Sequence, residues 1–170
     1  MCFSALFAAI FAVCAWISFP MPSGISLTLQ TFGIALGGYV LGAAWGTAAY
    51  AVYLLAGIAG IPVFSAFGSG IGQLFGVTGG YLIGFFGLVA LCGAGKLFKS
   101  KFLPPLFGIV GLAICHICGI IQFSRISGNS FAASAMTATV PYIIKDIVSV
   151  VAAYLIAEVL NKAVKKLHTA

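Results

Sequence analysis

The sequence holds only two acidic side chains, Asp146 and Glu158, and they bound the chemistry open to it. Asp146 lies in an apolar stretch, next to Lys145 and shortly after Pro141. An ionisable group inside a hydrophobic segment is expensive, so it marks a functional position by default. The use that suits it is a carboxylate accepting hydrogen bonds from a bound small molecule. Adjacent helical residues point about 100° apart, so Lys145 is not expected to face Asp146. It would instead reach an anionic ligand group or snorkel toward headgroups. Ser149 shares the helix face of Asp146.

Other polar groups read as structural. Glu158 lies about 18 Å further along the same helix, where an i,i+4 pair with Lys162 is an ordinary stabilising contact. His116 reads as a hydrogen-bonded packing histidine. It sits between Cys115 and Cys118, a C-x-x-C pair within a set of five cysteines that also includes Cys2, Cys14 and Cys92. A zinc site needs about four ligands, and there is no second cluster, so the two thiols read as small packing groups on one helix face. There is no P-loop, H-E-x-x-H or G-x-S-x-G, and no pair of catalytic carboxylates. Acid–base catalysis therefore has few parts to work with, and the expectation is no enzyme, no metal and no cofactor. A channel is also a poor fit, because no repeat of filter residues occurs.

Composition sets what must position these groups. Of 170 residues, 62% are hydrophobic and 6% charged, with a mean hydropathy of +1.21. Soluble domains carry about a quarter charged residues; this surface suits lipid. The expected fold is an all-α membrane protein, one integral membrane domain over 1–170. Its six transmembrane helices fall at about 2–19, 31–44, 46–60, 79–95, 103–122 and 140–162. The first reads as a retained helix, since it lacks a basic n-region and a cleavage site before Pro20 and Pro22. Residues 25–30 are expected to be extended or irregular. Ala44-Trp45-Gly46 is expected to form a tight corner between two helices short for a span. Residues 61–79 are too apolar for a solvated loop and too glycine-rich for a stable helix, which predicts a re-entrant loop between the third and fourth spans. Residues 124–138 read as a small, polar linker.

The net charge of +6 comes from eight cations. Lys96, Lys99 and Lys101 separate the fourth and fifth spans, and Lys162, Lys165 and Lys166 follow the sixth. With six spans these clusters share a side, predicting a multi-pass protein of the cell (inner) membrane with both termini cytoplasmic. A nucleic-acid groove needs many more cations, so lipid is the expected surrounding and nucleic acid is excluded. The connections 20–30, 61–79 and 124–138 then fall outside, so a ligand site should open outward beneath them. Ala5, Ala8, Ala9, Ala12 and Ala15 line the first helix, and Gly33/Gly37, Gly38/Gly42 and Gly42/Gly46 the next two. Such spacing lets helices approach closely in lipid. It serves internal packing in most cases, while the first-helix stripe is also a candidate docking surface for another membrane subunit.

Three motifs carry a resemblance. Leu27-Thr28-Leu29-Gln30-Thr31, then Gly57-x-x-Gly60-Ile61-Pro62-Val63-Phe64, then Phe75-Gly76-x-Thr78-Gly79-Gly80-Tyr81-Leu82-Ile83-Gly84-Phe85 resemble the BioY family in order and spacing. These are biotin-binding S components of energy-coupling-factor (ECF) transporters, and Pro141 with Asp146 extends the match. The resemblance implies a six-helix subunit that captures biotin from outside, with a transmembrane coupling subunit and two cytoplasmic ATPases as partners. It implies that Thr28 and Gln30 close over the ligand, and that Phe64, Ser69, Gln73 and Tyr81 form the second part of the pocket. Asp146 would bond the ureido ring, with Lys145 and Ser149 beside it. The small residues Ala5, Ala8, Ala9 and Ala12 would dock on the coupling subunit. The family pattern has a lysine where this chain has Ser149, so Lys145 is the candidate substitute. The alternatives are an S component for another vitamin and a membrane assembly protein that only packs against partners.

Overall fold

Glycine and proline decide where this chain turns. The computed structural model describes residues 2–98 and 100–167, with side chains described for 4–98 and 100–163. Lys99 and the side chains of Lys165 and Lys166 therefore lie outside the described residues. Among the described residues there are eight α-helices: α1 (Cys2–Trp16), α2 (Gln30–Leu41), α3 (Ala43–Ile58), α4 (Gly72–Phe75), α5 (Gly79–Gly95), α6 (Leu103–Ser127), α7 (Phe131–Ala138) and α8 (Val140–Leu167). Six of them are long and fall near the six predicted segments; α4 and α7 are short additions. Among the described residues, α6 is long and apolar enough to cross a membrane by length and composition, while α1, α3 and α5 are apolar but shorter.

The first predicted segment ends early. After Trp16 the chain enters a two-stranded antiparallel hairpin, β1 (Ser18–Phe19) with β2 (Leu27–Thr28), in register Ser18↔Thr28 and Phe19↔Leu27. Proline at 20 and 22 removes donors and blocks helix continuation. Gly24, at φ 77°, closes the turn through its N–H to the Met21 carbonyl. The 25–30 stretch is thus partly strand, and Gln30 already opens α2.

The corner between α2 and α3 is at Gly42, not at Ala44-Trp45-Gly46. Gly42 holds φ 84°, ψ 174°, a region only glycine occupies without strain. Gly46 instead serves close approach, since a Cβ there would stand 3.3 Å from the Gly37 carbonyl. No atom lies within 4 Å of a Cβ placed on Gly42. Gly42→Ala is therefore expected to cost about 1–3 kcal/mol through backbone strain alone. A fall in the thermal midpoint of the detergent-purified protein, with ligand affinity retained, checks this.

The α3–α5 connection folds back onto the bundle rather than leaving it. Phe64 is 2% exposed and packs on Tyr53 edge to face, its ring occupying the space a side chain at Gly57 would need. A 3-10 turn follows at Ser65–Phe67, where Ala66 and Phe67 take φ of 53° and 58°. Two contacts hold this strained pair: Phe67 stacks on Trp16 at 5.2 Å, and the Ala66 N–H donates to Ser18 Oγ. Trp16 Nε1 also donates to the Pro62 carbonyl at 2.8 Å. The first and second connections are thereby stapled into one cap.

The predicted linker 124–138 is mostly helical. α6 continues to Ser127 and stops at Gly128, at φ 70°, and α7 begins after Ser130, whose side chain accepts from the Ala133 N–H. Inside the bundle, Phe7, Phe11, Tyr39, Tyr50, Tyr53 and Phe85 form an aromatic core. Gly80 and Gly84 let α5 lie against the backbone of α6 at Cys118 and Cys115. Cys14, Cys92, Cys115 and Cys118 are free thiols.

Candidate ligand-binding site

Asp146 sits in the second turn of α8 and is 6% exposed. Its carboxylate faces two cations or potential cations. Lys145 Nζ stands 2.5 Å from Oδ1, and His116 Nε2, from α6, stands 3.3 Å from Oδ2. Thr31 from α2 lines the same cavity. Burying a carboxylate without partners is prohibitive, and here the neighbouring helices supply them.

The Lys145 contact corrects the sequence expectation that adjacent residues would not meet. The Cβ directions do diverge, but a four-carbon stem bends back over the backbone. From there Nζ also donates to the Thr28 carbonyl at 2.7 Å. Lys145 thus ties α8 to strand β2. One turn earlier, Tyr142 hydroxyl donates to the Ile25 carbonyl at 2.6 Å and stands 2.8 Å from Ser23 Oγ. The segment 23–28 is strapped over the site at two points.

Beneath this strap is a cavity lined by Ile25, Thr28, Gln30, Phe64, Gln73, Tyr81, His116 and Asp146, among others. It encloses about 60 Å³, well below the roughly 300–1,000 Å³ usual for small-molecule sites. A ligand of ordinary size needs some of the lining to move aside. The walls set aromatic and aliphatic side chains such as Phe64, Leu82 and Phe85 among polar ones held at fixed places. Gln30 Nε2 donates to Tyr53 hydroxyl at 3.0 Å, which in turn donates to the Val63 carbonyl. Tyr81 hydroxyl donates to the Ala138 carbonyl at 2.5 Å, and its ring meets His116 edge to face at 5.8 Å.

Of the residues singled out from sequence, Thr28, Gln30, Phe64, Gln73, Tyr81, Lys145 and Asp146 line one cavity. Ser69 does not: it is exposed on the cap. Ser149 is 6% exposed one turn deeper along α8 and is not among the lining residues. Of the first-helix stripe, Ala5 and Ala9 are exposed, Ala8 is half-buried and Ala12 is 5% exposed. Ala5 and Ala9, four residues apart, share the exposed side of α1, while Ala8 and Ala12, also four apart, turn toward the bundle.

Sequence reasoning set His116 aside and omitted Tyr142 and Thr31. The His116–Asp146 contact joins two helices with no spacing signal between them. Tyr142 did carry one, since it precedes Asp146 by one helical turn and so shares its face. Glu158 and Lys162 do pair, at 3.7 Å, on the exposed end of α8.

The geometry is that of a helical membrane protein holding a small cavity under a strap, with one buried acid on its wall. Its fold matches a solved structure described as the S-component for biotin from an ECF-type ABC transporter, with a TM-score of 0.86 at 23% identity, covering 95% of this chain and 89% of that one. The likeness is one of fold. The BioY family's sequence model matches residues 1–166, and the chain belongs to the BioY family. Among its relatives, a Thermotoga maritima protein named biotin transporter BioY is 37% identical over 158 residues, covering 92% of each chain. A Pyrococcus horikoshii protein named probable biotin transporter BioY is 36% identical over 154 residues, covering 91% of each.

Proposed function

We propose that this protein is the biotin-binding S component of an ECF transporter, a transport subunit and not an enzyme. The observation that carries this reading is Asp146, a buried acid on the wall of a cavity in a BioY-family chain. Biotin has an apolar bicycle, a polar ureido edge and a carboxylate, which suits a cavity that sets aromatic walls beside placed polar groups. Asp146 accepts from the ureido edge, Phe64 and Tyr81 pack on the bicycle, and residues 25–30 close over the valerate chain. Lys145 supplies beside Asp146 the ammonium that the resemblance expects from position 149. That weakens the argument from Ser149 for a different vitamin.

The topology that goes with this function has six crossings, α1, α2, α3, α5, α6 and α8, in a single domain. The segment 61–78 is re-entrant, a reading supported by the burial of Phe64. The capped end faces outward and both termini are cytoplasmic, which the Lys96 and Lys101 cluster supports through the positive-inside rule. Delivery inward requires a transmembrane coupling subunit and two cytoplasmic ATPases. The docking face on α1 is Ala5 and Ala9, flanked by exposed Leu6 and Val13. A panel of radiolabelled vitamins offered to the detergent-purified protein tests the reading. Retention of biotin alone is expected. Retention of another vitamin instead would reassign the substrate, and retention of none would favour an assembly protein.

A further inference from the structure

The ring of His116 lines the cavity, is 5% exposed, and touches Asp146 through Nε2. Both ring nitrogens are buried and lack a hydrogen-bond partner among the described residues, the 3.3 Å approach of Nε2 to Asp146 falling short of hydrogen-bond geometry; Asp146 Oδ1 lacks one too, despite its contact with Lys145. Buried polar atoms are rarely left unpaired, because each forfeits its bonds to water. Three such atoms on two residues that line one cavity are a pattern rather than an isolated defect.

The charges around the ring fix what Nδ1 can offer. Asp146 already has a cation, Lys145, at 2.5 Å, and a second buried cation would lack a counter-charge. The neutral imidazole is the form that balances the site. Nε2 is the ring nitrogen that approaches the carboxylate, at 3.3 Å, and a carboxylate can only accept, so the tautomer that suits the site carries its proton on Nε2. Nδ1 is then a bare acceptor. The edge-to-face contact with Tyr81 on one side and Asp146 on another holds the ring in place.

We infer that His116 is a ligand-contacting residue, whose Nδ1 accepts one N–H of a cyclic urea while Asp146 accepts the other. This rests on the biotin reading above and deepens it. A ureido group presents two N–H donors directed away from each other, and the site presents two acceptors on different helices. The pair selects for a ligand with two such donors and discriminates against analogues that lack either, since a missing donor leaves its acceptor buried and unpaired.

The test uses purified protein, biotin, and two biotin analogues methylated at one or the other ureido nitrogen. His116→Phe keeps an aromatic ring and removes the acceptor. Biotin affinity is expected to fall about tenfold or more. The penalty for methylation should shrink in the variant at one nitrogen and persist at the other. Unchanged biotin affinity, or an equal methylation penalty at both nitrogens before and after substitution, would overturn the assignment. Should His116→Phe fail to fold, the wild-type protein with 15N-labelled histidine decides. The Nδ1 resonance of His116 should shift upfield when biotin binds, and an unmoved resonance sinks the idea. Failure of the wild-type protein to bind biotin at all would instead fall on the functional reading.

Discussion

Asp146→Asn is expected to weaken biotin binding by about a hundredfold or more and to lower the thermal midpoint of the unliganded protein. The carboxylate is the only counter-charge that the described contacts give Lys145, and it also faces His116 Nε2. Removing one member of a buried charge pair costs about 2–5 kcal/mol, because the other charge is left without its partner. Asparagine keeps the shape but turns a donor toward neighbours that are themselves donors. It also loses the acceptor proposed for the ureido edge. Calorimetric titration of biotin into the purified variant checks the loss; a Kd within threefold of wild type would refute the role given to Asp146. Glu158→Gln is the matched control on the same helix. Its pair with Lys162 is 3.7 Å long and largely exposed, so a change below about 1 kcal/mol is expected.

The second large effect is expected at a position with no chemistry. A Cβ on Gly84 would stand 2.6 Å from Cys115 Cα and 3.0 Å from its carbonyl oxygen. Both are backbone atoms of α6 and cannot swing aside as a side chain can. Gly84→Ala therefore forces α5 and α6 apart, at about 3 kcal/mol, the upper part of the usual overpacking range. Because His116 follows Cys115 directly, the separation also withdraws the imidazole from Asp146. Gly87→Ala is the useful comparison. There the nearest atom is the Ile114 Cγ2 methyl at 3.2 Å, which can yield, and alanine gains helix propensity over glycine. Thermal midpoints of the two variants should separate widely. Equal midpoints would mean the α5–α6 seam is looser than described.

Long apolar runs and the proline–glycine breaks between them made the six long helices legible in the sequence, because both signals are local. Their ends were less so. α6 runs through Gln122, Arg125 and Ser127, since an established helix continues past its apolar stretch until something stops it, here Gly128. The glycines at 38, 42 and 46 look alike in sequence. Only the packed structure separates Gly42, which needs its φ, from Gly46, which needs its lack of a side chain. The same holds for the site. Asp146 stood out because an acid in an apolar run is conspicuous by itself. Its partner His116 did not, because the contact is made by the fold. Lys145 was misjudged for another reason: Cβ direction was allowed to stand for the reach of a long, flexible side chain.

That reach has a thermodynamic consequence. Lys145 Nζ stands against the Asp146 carboxylate and donates to the Thr28 carbonyl, so the strap and the acid share a single charge. A ligand that draws on Asp146 changes what the ammonium can give to Thr28. The free energies of strap opening and of ligand binding are then linked, and linkage is reciprocal. Whatever factor the bound ligand imposes on the equilibrium of the strap, a partner that prises the strap open imposes on the ligand's affinity. The bond that keeps the cavity shut in isolation is therefore also a route by which docking can loosen its contents.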